Sequence, residues 1–385
     1  MHTPEPARLA PPRGGPARGV ARMNIERILD NRTLMPVACV PMDDRHGRDV
    51  LVVIAKLTWE VSAEGAAAIA VPQRTPRMAD VPRSLEAWSS LQYASDLADE
   101  KPGTDVLMLG TAHPPPEATP GGKRATERDV TLRVQARHGA VQKTVRVHGP
   151  RVYYRSVLGV VPGPAAPLTP TPLVYELACG GRDTADPSRV IHDPRNPVGR
   201  GVAADRGRLV GTPAHQLEDP IDPTRPAAFG PIPAHWSPRR ERAGTYDAAW
   251  QRQRAPLRPF DFDLRHHVTA PPELWSETPL EGDEPVDVLG ATPEGLWRFR
   301  LPHYAPVFHA IERGESRVCP THLDTLLIDT DTRTVELTWR VAVPLPRKTE
   351  HLQSIIVFAS DELPADVRDA LRRRLDDAAH EEARA

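Results

Sequence analysis

Cysteine is scarce in this chain of 385 residues: Cys39, Cys179 and Cys319 are the only three, odd in number and far apart. That excludes a disulfide framework and suits reduced, buried thiols. Long apolar runs are missing as well. The longest near the front is Val50 to Ala55, far short of the ~20 residues a membrane-spanning helix needs, so no membrane insertion is expected. Lysine is nearly absent, with 5 residues against 44 arginines, a bias that a GC-rich genome explains better than an arginine-built binding surface. Neither sign of charge prevails: 49 Lys plus Arg meet 51 Asp plus Glu, for a net charge of −2. The chain therefore lacks the overall basic field that would hold nucleic acid or an anionic membrane.

Proline is what the chain has in abundance: 44 residues, beside 25 glycines. Such usage is roughly twice average and breaks long helices, yet the two together stay under the ~25% that marks a low-complexity chain. A hydrophobic content of 39% is enough to fill a core. Residues 1–22 hold Pro, Ala, Arg and Gly without the apolar stretch of a secretory signal, so a disordered extension and cytoplasmic residence are expected. Met23 opens more ordinary sequence, and either Met1 or Met23 serves as the start.

Period-two alternation is the strongest pattern. Val53, Ala55, Leu57, Trp59 and Val61 alternate with Ile54, Lys56, Thr58 and Glu60, which predicts a strand with one apolar face and one that turns polar along its length. Three hairpins are expected: Val130–Ala136 with Val141–Val147 about Gly139, Val286–Leu289 with Trp297–Leu301, and Leu326–Ile328 with Val335–Val343. Trp59 and Trp339 fall on apolar faces and should be core. The segment 162–279 is dense in Pro, Gly, Asp and Arg, with one expected strand, Pro172 to Ala178, and one short helix around Tyr246 to Arg252 capped by Thr245. It carries too many aromatics for a spacer and reads as ordered loop packed on the sheets. Asp361 caps an expected amphipathic helix from Leu363 to Ala383. The expected fold is mainly β: antiparallel, sandwich-like sheets over 23–358, in one body or in two sub-modules near 23–178 and 280–358, then a C-terminal helix over 359–385.

Catalytic signatures are missing. No nucleophile elbow, Walker loop or dinucleotide fingerprint occurs, and no cofactor is expected. Cys179 precedes Gly180-Gly181 and would need a base such as His192 to act as a nucleophile; a buried structural thiol is the simpler reading. Cys319-Pro-Thr-His322 with His303 and His309 fits no closed zinc pattern, and adjacent His266 and His267 would point to opposite faces of a strand, so no metal is expected. Glu218-Asp219 and Asp261-x-Asp263 read as turn caps. The run Arg195 to Gly201 offers a phosphate cradle or, more simply, an arginine–carboxylate network that pins a loop.

Six motifs then occur in a fixed order: Lys101-Pro-Gly-Thr-Asp105, Tyr175-Glu176 followed by Gly180-Gly181, Asp193-Pro-Arg-Asn-Pro-Val-Gly-Arg-Gly201, Leu217-Glu-Asp-Pro220, Phe229-Gly-Pro-Ile-Pro233-x-His-Trp236, and Gly244-Thr-Tyr-Asp-x-x-Trp250. Together they resemble the bacterial domain-of-unknown-function family 2169, over about 31–346. Members of that family are typically encoded among type VI secretion genes, near spike proteins, PAAR-type tip proteins and toxic effectors. The resemblance implies an adaptor or chaperone that binds an effector or a PAAR-type tip protein, with the spike protein as a further partner, and helps load the effector onto the spike. It brings no catalytic residues. This chain departs from the family at Leu177 and Cys179, and at His266 and His267, where aromatics are usual. Residues expected to bind a partner or to organise the loops are Asp193, Arg195, Asn196, Arg200, Glu218, Asp219, Phe229, Trp236, Tyr246 and Trp250. The alternatives are a hydrolase or carbohydrate-modifying enzyme built on Asp and Arg of the middle segment, and a structural part of the secretion machine.

Overall fold

The computed structural model describes residues 25–86, 88–116, 124–346 and 348–359. The expected extension at 1–22 and the expected helix at 363–383 lie outside the described residues. Strands account for 41% of the structure and helical segments for 9%, so the chain is mainly β. All three expected hairpins are present, as Glu127–Ala136 with Gly139–His148, Pro285–Leu289 with Leu296–Arg300, and Leu323–Asp329 with Thr334–Pro344. Gly139 turns the first at φ 143°, a backbone angle that L side chains resist.

The sheets are mixed, which corrects the expectation of a purely antiparallel arrangement. A seven-stranded sheet runs Trp275–Ser276, Thr104–Leu109, Leu323–Asp329, Thr334–Pro344, Asp49–Val61 and Val37–Asp43, with Ala67–Ile69 also paired to Asp49–Val61. Within it Thr104–Leu109 lies parallel to Leu323–Asp329. A five-stranded sheet runs Leu217–Glu218, Gly139–His148, Glu127–Ala136, Pro285–Leu289 and Leu296–Arg300. A four-stranded sheet begins with Leu29–Asn31 parallel to Leu352–Ala359. The two strand-rich ends of the chain share each of these sheets and do not form separate sub-modules. Parallel neighbours so distant in sequence need long crossovers, and the segment between the ends supplies one.

The seven-stranded sheet explains the alternation read from the sequence. Leu57, Trp59, Leu337 and Trp339 face a core shared with the five-stranded sheet, which contributes Leu132, Val134, Val288 and Trp297. The opposite face begins apolar with Val50, Val52 and Ile54. It then turns to Lys56, Thr58, Glu336, Thr338 and Arg340, all buried. A polar sheet face survives burial only when its charges are paired, so the segments covering it must bring counter-ions.

Two local expectations fail in the middle segment. Pro172 to Ala178 is not a strand: Thr171–Pro172 pairs briefly, and Tyr175–Leu177 closes into a 3₁₀ turn. Tertiary contacts decide this, since the Asn196 amide donates to Tyr175 O at 2.9 Å and the Tyr175 ring packs edge-on to Trp236. The short helix spans Ala248–Gln253, and Asp247, not Thr245, caps it by accepting from Trp250 N at 2.8 Å. Thr245 instead bonds Asp261, N to Oδ1 at 3.0 Å and Oγ1 to Oδ2 at 2.7 Å. No helix among the described residues is long and apolar enough to cross a membrane.

Candidate functional site

The polar face of the seven-stranded sheet is roofed by residues 72–101 and 231–269. Lys56 Nζ lies 2.5 Å from Asp96 and 3.2 Å from Glu336, and Arg77 reaches both Glu336 oxygens at 2.7 and 2.8 Å. Burial alone would raise the Glu336 carboxyl, but the Arg77 hydrogen bonds and the charges of Lys56 and Arg74 outweigh it and hold the group at about 2. The Arg77 guanidinium also stacks 4.0 Å above the Tyr93 ring. In the Lys101-Pro-Gly-Thr-Asp105 motif, Lys101 Nζ sits 2.6 Å from Asp105, whose same oxygen accepts Thr269 N and Oγ1 at 2.6 and 2.7 Å. Gly103 makes this turn possible: its φ is 65°, and a Cβ would stand 2.1 Å from Ser276 O.

Beside this network opens a cleft of about 330 Å³, lined by Met78, Ala79, Asp80, Ser95, Leu97, Ala98, Lys101, Arg239, His266, His267, Thr269 and Arg340. His266 and His267 both line it because they end a 3₁₀ turn, Leu264–His267, and do not lie in a strand. His266 Nδ1 is 2.8 Å from Arg239 O. A carbonyl only accepts, so Nδ1 carries the proton; burial keeps the ring below its usual pKa and neutral, leaving Nε2 an acceptor. Burial likewise pushes His267 down to about 4, against the pull of Asp99 at 3.2 Å. Asp99 also receives Arg258 at 2.7 Å. Arg340 pairs with Asp324 and donates to Asp96 O and Ala98 O, which fixes the floor.

Most of the residues expected to act are engaged within the loops. Asp193 and Arg195 form a bidentate pair at 3.0 and 2.8 Å, and Arg195 also bonds Thr224 O. Asn196 is fully buried, donating to Tyr175 O and Cys179 O. Arg200 bonds Ala214 O at 3.2 Å. Both Glu218 oxygens are occupied, one by His215 at 2.9 Å and Arg151 at 2.5 Å, the other by His148 at 2.9 Å. Burial raises this carboxyl, but those three partners overcome the effect and hold it well below the usual carboxylate range. Asp219 accepts Ile221 N and Asp222 N, a turn cap. Phe229 and Trp236 are both fully buried, which removes them as surface anchors. Tyr246 is exposed and meets Trp250 edge-on at 4.8 Å, while Trp250 Nε1 donates to Leu257 O. Cys179 is half-buried, and burial raises its thiol pKa, the reverse of an activated nucleophile. Among the described residues, no group of three or more His, Cys, Asp or Glu could hold a metal ion.

The cleft was not legible in the sequence. Its Arg239 lies in the run Pro238-Arg-Arg-Glu-Arg242, which looks like any solvated arginine-rich turn. Of its lining, the sequence singled out only Lys101 and the adjacent pair His266 and His267. A second feature went unread, the hairpin Tyr153–Ser156 with Gly159–Pro162. Tyr153 and Val160 are buried on its inner face, while Val152, Tyr154, Val157, Leu158 and the adjacent Val210 are exposed. Val157 and Leu158, at the tip, are 102% and 88% exposed. The tip thus presents two adjacent apolar side chains to water.

Comparison with curated proteins and with solved structures finds no match to the chain. Comparison with protein families matches residues 46–340, a span that takes in most of the seven-stranded sheet, the cleft and the apolar hairpin. The chain belongs to the family described as an uncharacterized protein conserved in bacteria, DUF2169.

Proposed function

We propose that this protein is a non-enzymatic adaptor or chaperone: it binds a type VI secretion effector or a PAAR-type tip protein and assists its loading onto the spike. The observation that carries the reading is the apolar hairpin tip at Val157 and Leu158, on a protein whose net charge is only −2. A near-neutral chain attracts a partner through apolar contact more than through long-range steering. The engaged state of Glu218, Asp193 and Arg195 supports the same reading, because a hydrolase would need at least one of these groups open to substrate. The proposal places the cargo in the cytoplasm before secretion and the adaptor outside the secreted particle.

The test is a deletion of the gene, followed by measurement of cargo abundance in cells and cargo in the medium, with complementation by wild type and by the double variant Val157→Asp, Leu158→Asp. The expected result is loss of secreted cargo in the deletion strain, restored by wild type and not by the variant. Secretion restored fully by the variant would remove the hairpin from the account. Secretion restored by neither the hairpin variant nor Glu218→Gln, with cargo binding intact in the latter, would favour an enzymatic step.

A further inference from the structure

Three cations line the cleft, and they are not equivalent. Lys101 is paired with Asp105 and Arg340 with Asp324. Arg239 has no carboxylate within ion-pair distance among the described residues, although it is only 7% exposed. Its Nε donates to His266 O at 2.8 Å and its Nη1 to Ile232 O at 2.6 Å. These neutral carbonyls fix the guanidinium plane and leave Nη2 without a hydrogen-bond partner among the described residues. The carboxylate of the lining, Asp80, is exposed, accepts Ser95 N and makes no direct ion pair with Arg239.

A buried cation without a direct ion pair is costly, and here burial lowers the Arg239 pKa against the longer-range pull of Asp80 and Asp105. Arginine stays charged nonetheless, so the site holds a fixed positive charge at the wall of a cleft of about 330 Å³. Met78, Ala79, Leu97 and Ala98 give the lining an apolar wall beside the polar Asp80, Ser95 and Thr269. We infer that this cleft binds a carboxylate, with Arg239 Nη2 pairing the anion and the apolar walls taking the short carbon chain attached to it. Charge selects the class: one cation without a direct ion pair, drawn on by Asp80 and Asp105 only at longer range, matches a monoanion, whereas a phosphate dianion would bring an unmatched charge into a buried site. The neutral His266 adds an acceptor at Nε2 for an N–H or O–H on the same ligand. Such a carboxylate is supplied either by the end of a peptide chain or by a free small acid. This inference is independent of the adaptor reading and stands or falls without it.

The experiment titrates the purified full chain calorimetrically with four probes: N-acetyl-trialanine as the free acid, the same peptide as its C-terminal amide, butyrate, and inorganic phosphate. The expected result is binding of the free acid at least tenfold tighter than the amide or phosphate. A free acid that also exceeds butyrate tenfold identifies a chain terminus as the ligand; equal affinity identifies a small carboxylate, and both support the inference. Arg239→Lys should weaken binding at least tenfold. Because Arg239 also holds two carbonyls, Ala79→Trp serves as a second variant: it fills the cleft from an exposed position and should abolish binding with the melting temperature unchanged. No binding of either carboxylate, equal binding of amide or phosphate, or unchanged affinity in Ala79→Trp would overturn the inference.

Discussion

At the scale of single residues, burial sets the chemistry. Trp236 illustrates this: it stands in irregular chain, where no period indicates which way a side chain points, yet it is fully buried and meets Tyr175 edge-on at 5.4 Å. Trp236→Ala should cost about 3–5 kcal/mol of stability, measured by denaturant unfolding, with partner affinity at native conditions unchanged. Trp59 and Trp339 were legible as core because alternation assigns their faces, and both are buried. His267 gives a pH prediction. Its folded pKa of about 4 lies below the usual value near 6.5, so the unfolded chain binds more protons between these values and stability falls as pH drops from 6.5 to 4. The loss is bounded at roughly 3 kcal/mol by the size of the shift. His267→Gln should flatten the stability profile over that window; a profile as steep as wild type would assign the slope to other groups.

Elements show why parts of the fold could be read and others could not. Hairpins announce themselves through period two and a turn glycine, as with Gly139 at the head of the second of two ten-residue strands. The middle segment has two-residue pairings such as Cys179–Gly180 with Arg200–Gly201, too short to leave any period. What holds it is specific: the Asn196 amide spans two carbonyls, and a Cβ on Gly180 would lie 2.3 Å from Asn196 O. Sequence motifs there record close approach of the backbone. Two glycines of similar backbone sign separate strain from crowding. Gly139 has nothing within 4 Å of a built Cβ, whereas at Gly103 the Cβ would meet Ser276 O at 2.1 Å. Gly139→Ala should cost about 1 kcal/mol through φ alone, and Gly103→Ala more than that, about 3 kcal/mol or above. Thermal unfolding of both variants checks the order; equal losses would show that the 101–105 turn relaxes freely.

Across the whole molecule, the decisive arrangement is the sharing of sheets by both ends of the chain. Thr104–Leu109 sits between Trp275–Ser276 and Leu323–Asp329, so the loop-rich middle is locked between strands it connects and its surfaces are held in fixed positions. That frame carries a roofed polar face with a cleft of about 330 Å³ and, from the segment beyond, an apolar hairpin. Neither could be seen in the sequence, because the cleft joins residues from Met78 to Arg340 and the hairpin strands are four residues each. The proposed role is stoichiometric binding of a partner protein. Its most direct measurement is calorimetric titration of the purified protein with a candidate effector or PAAR-type tip protein, run for wild type and for Val157→Asp, Leu158→Asp. The account predicts a saturable complex of fixed stoichiometry, an unchanged partner after release, and affinity at least tenfold weaker in the variant. No complex with wild type, or a partner recovered covalently altered, would contradict it.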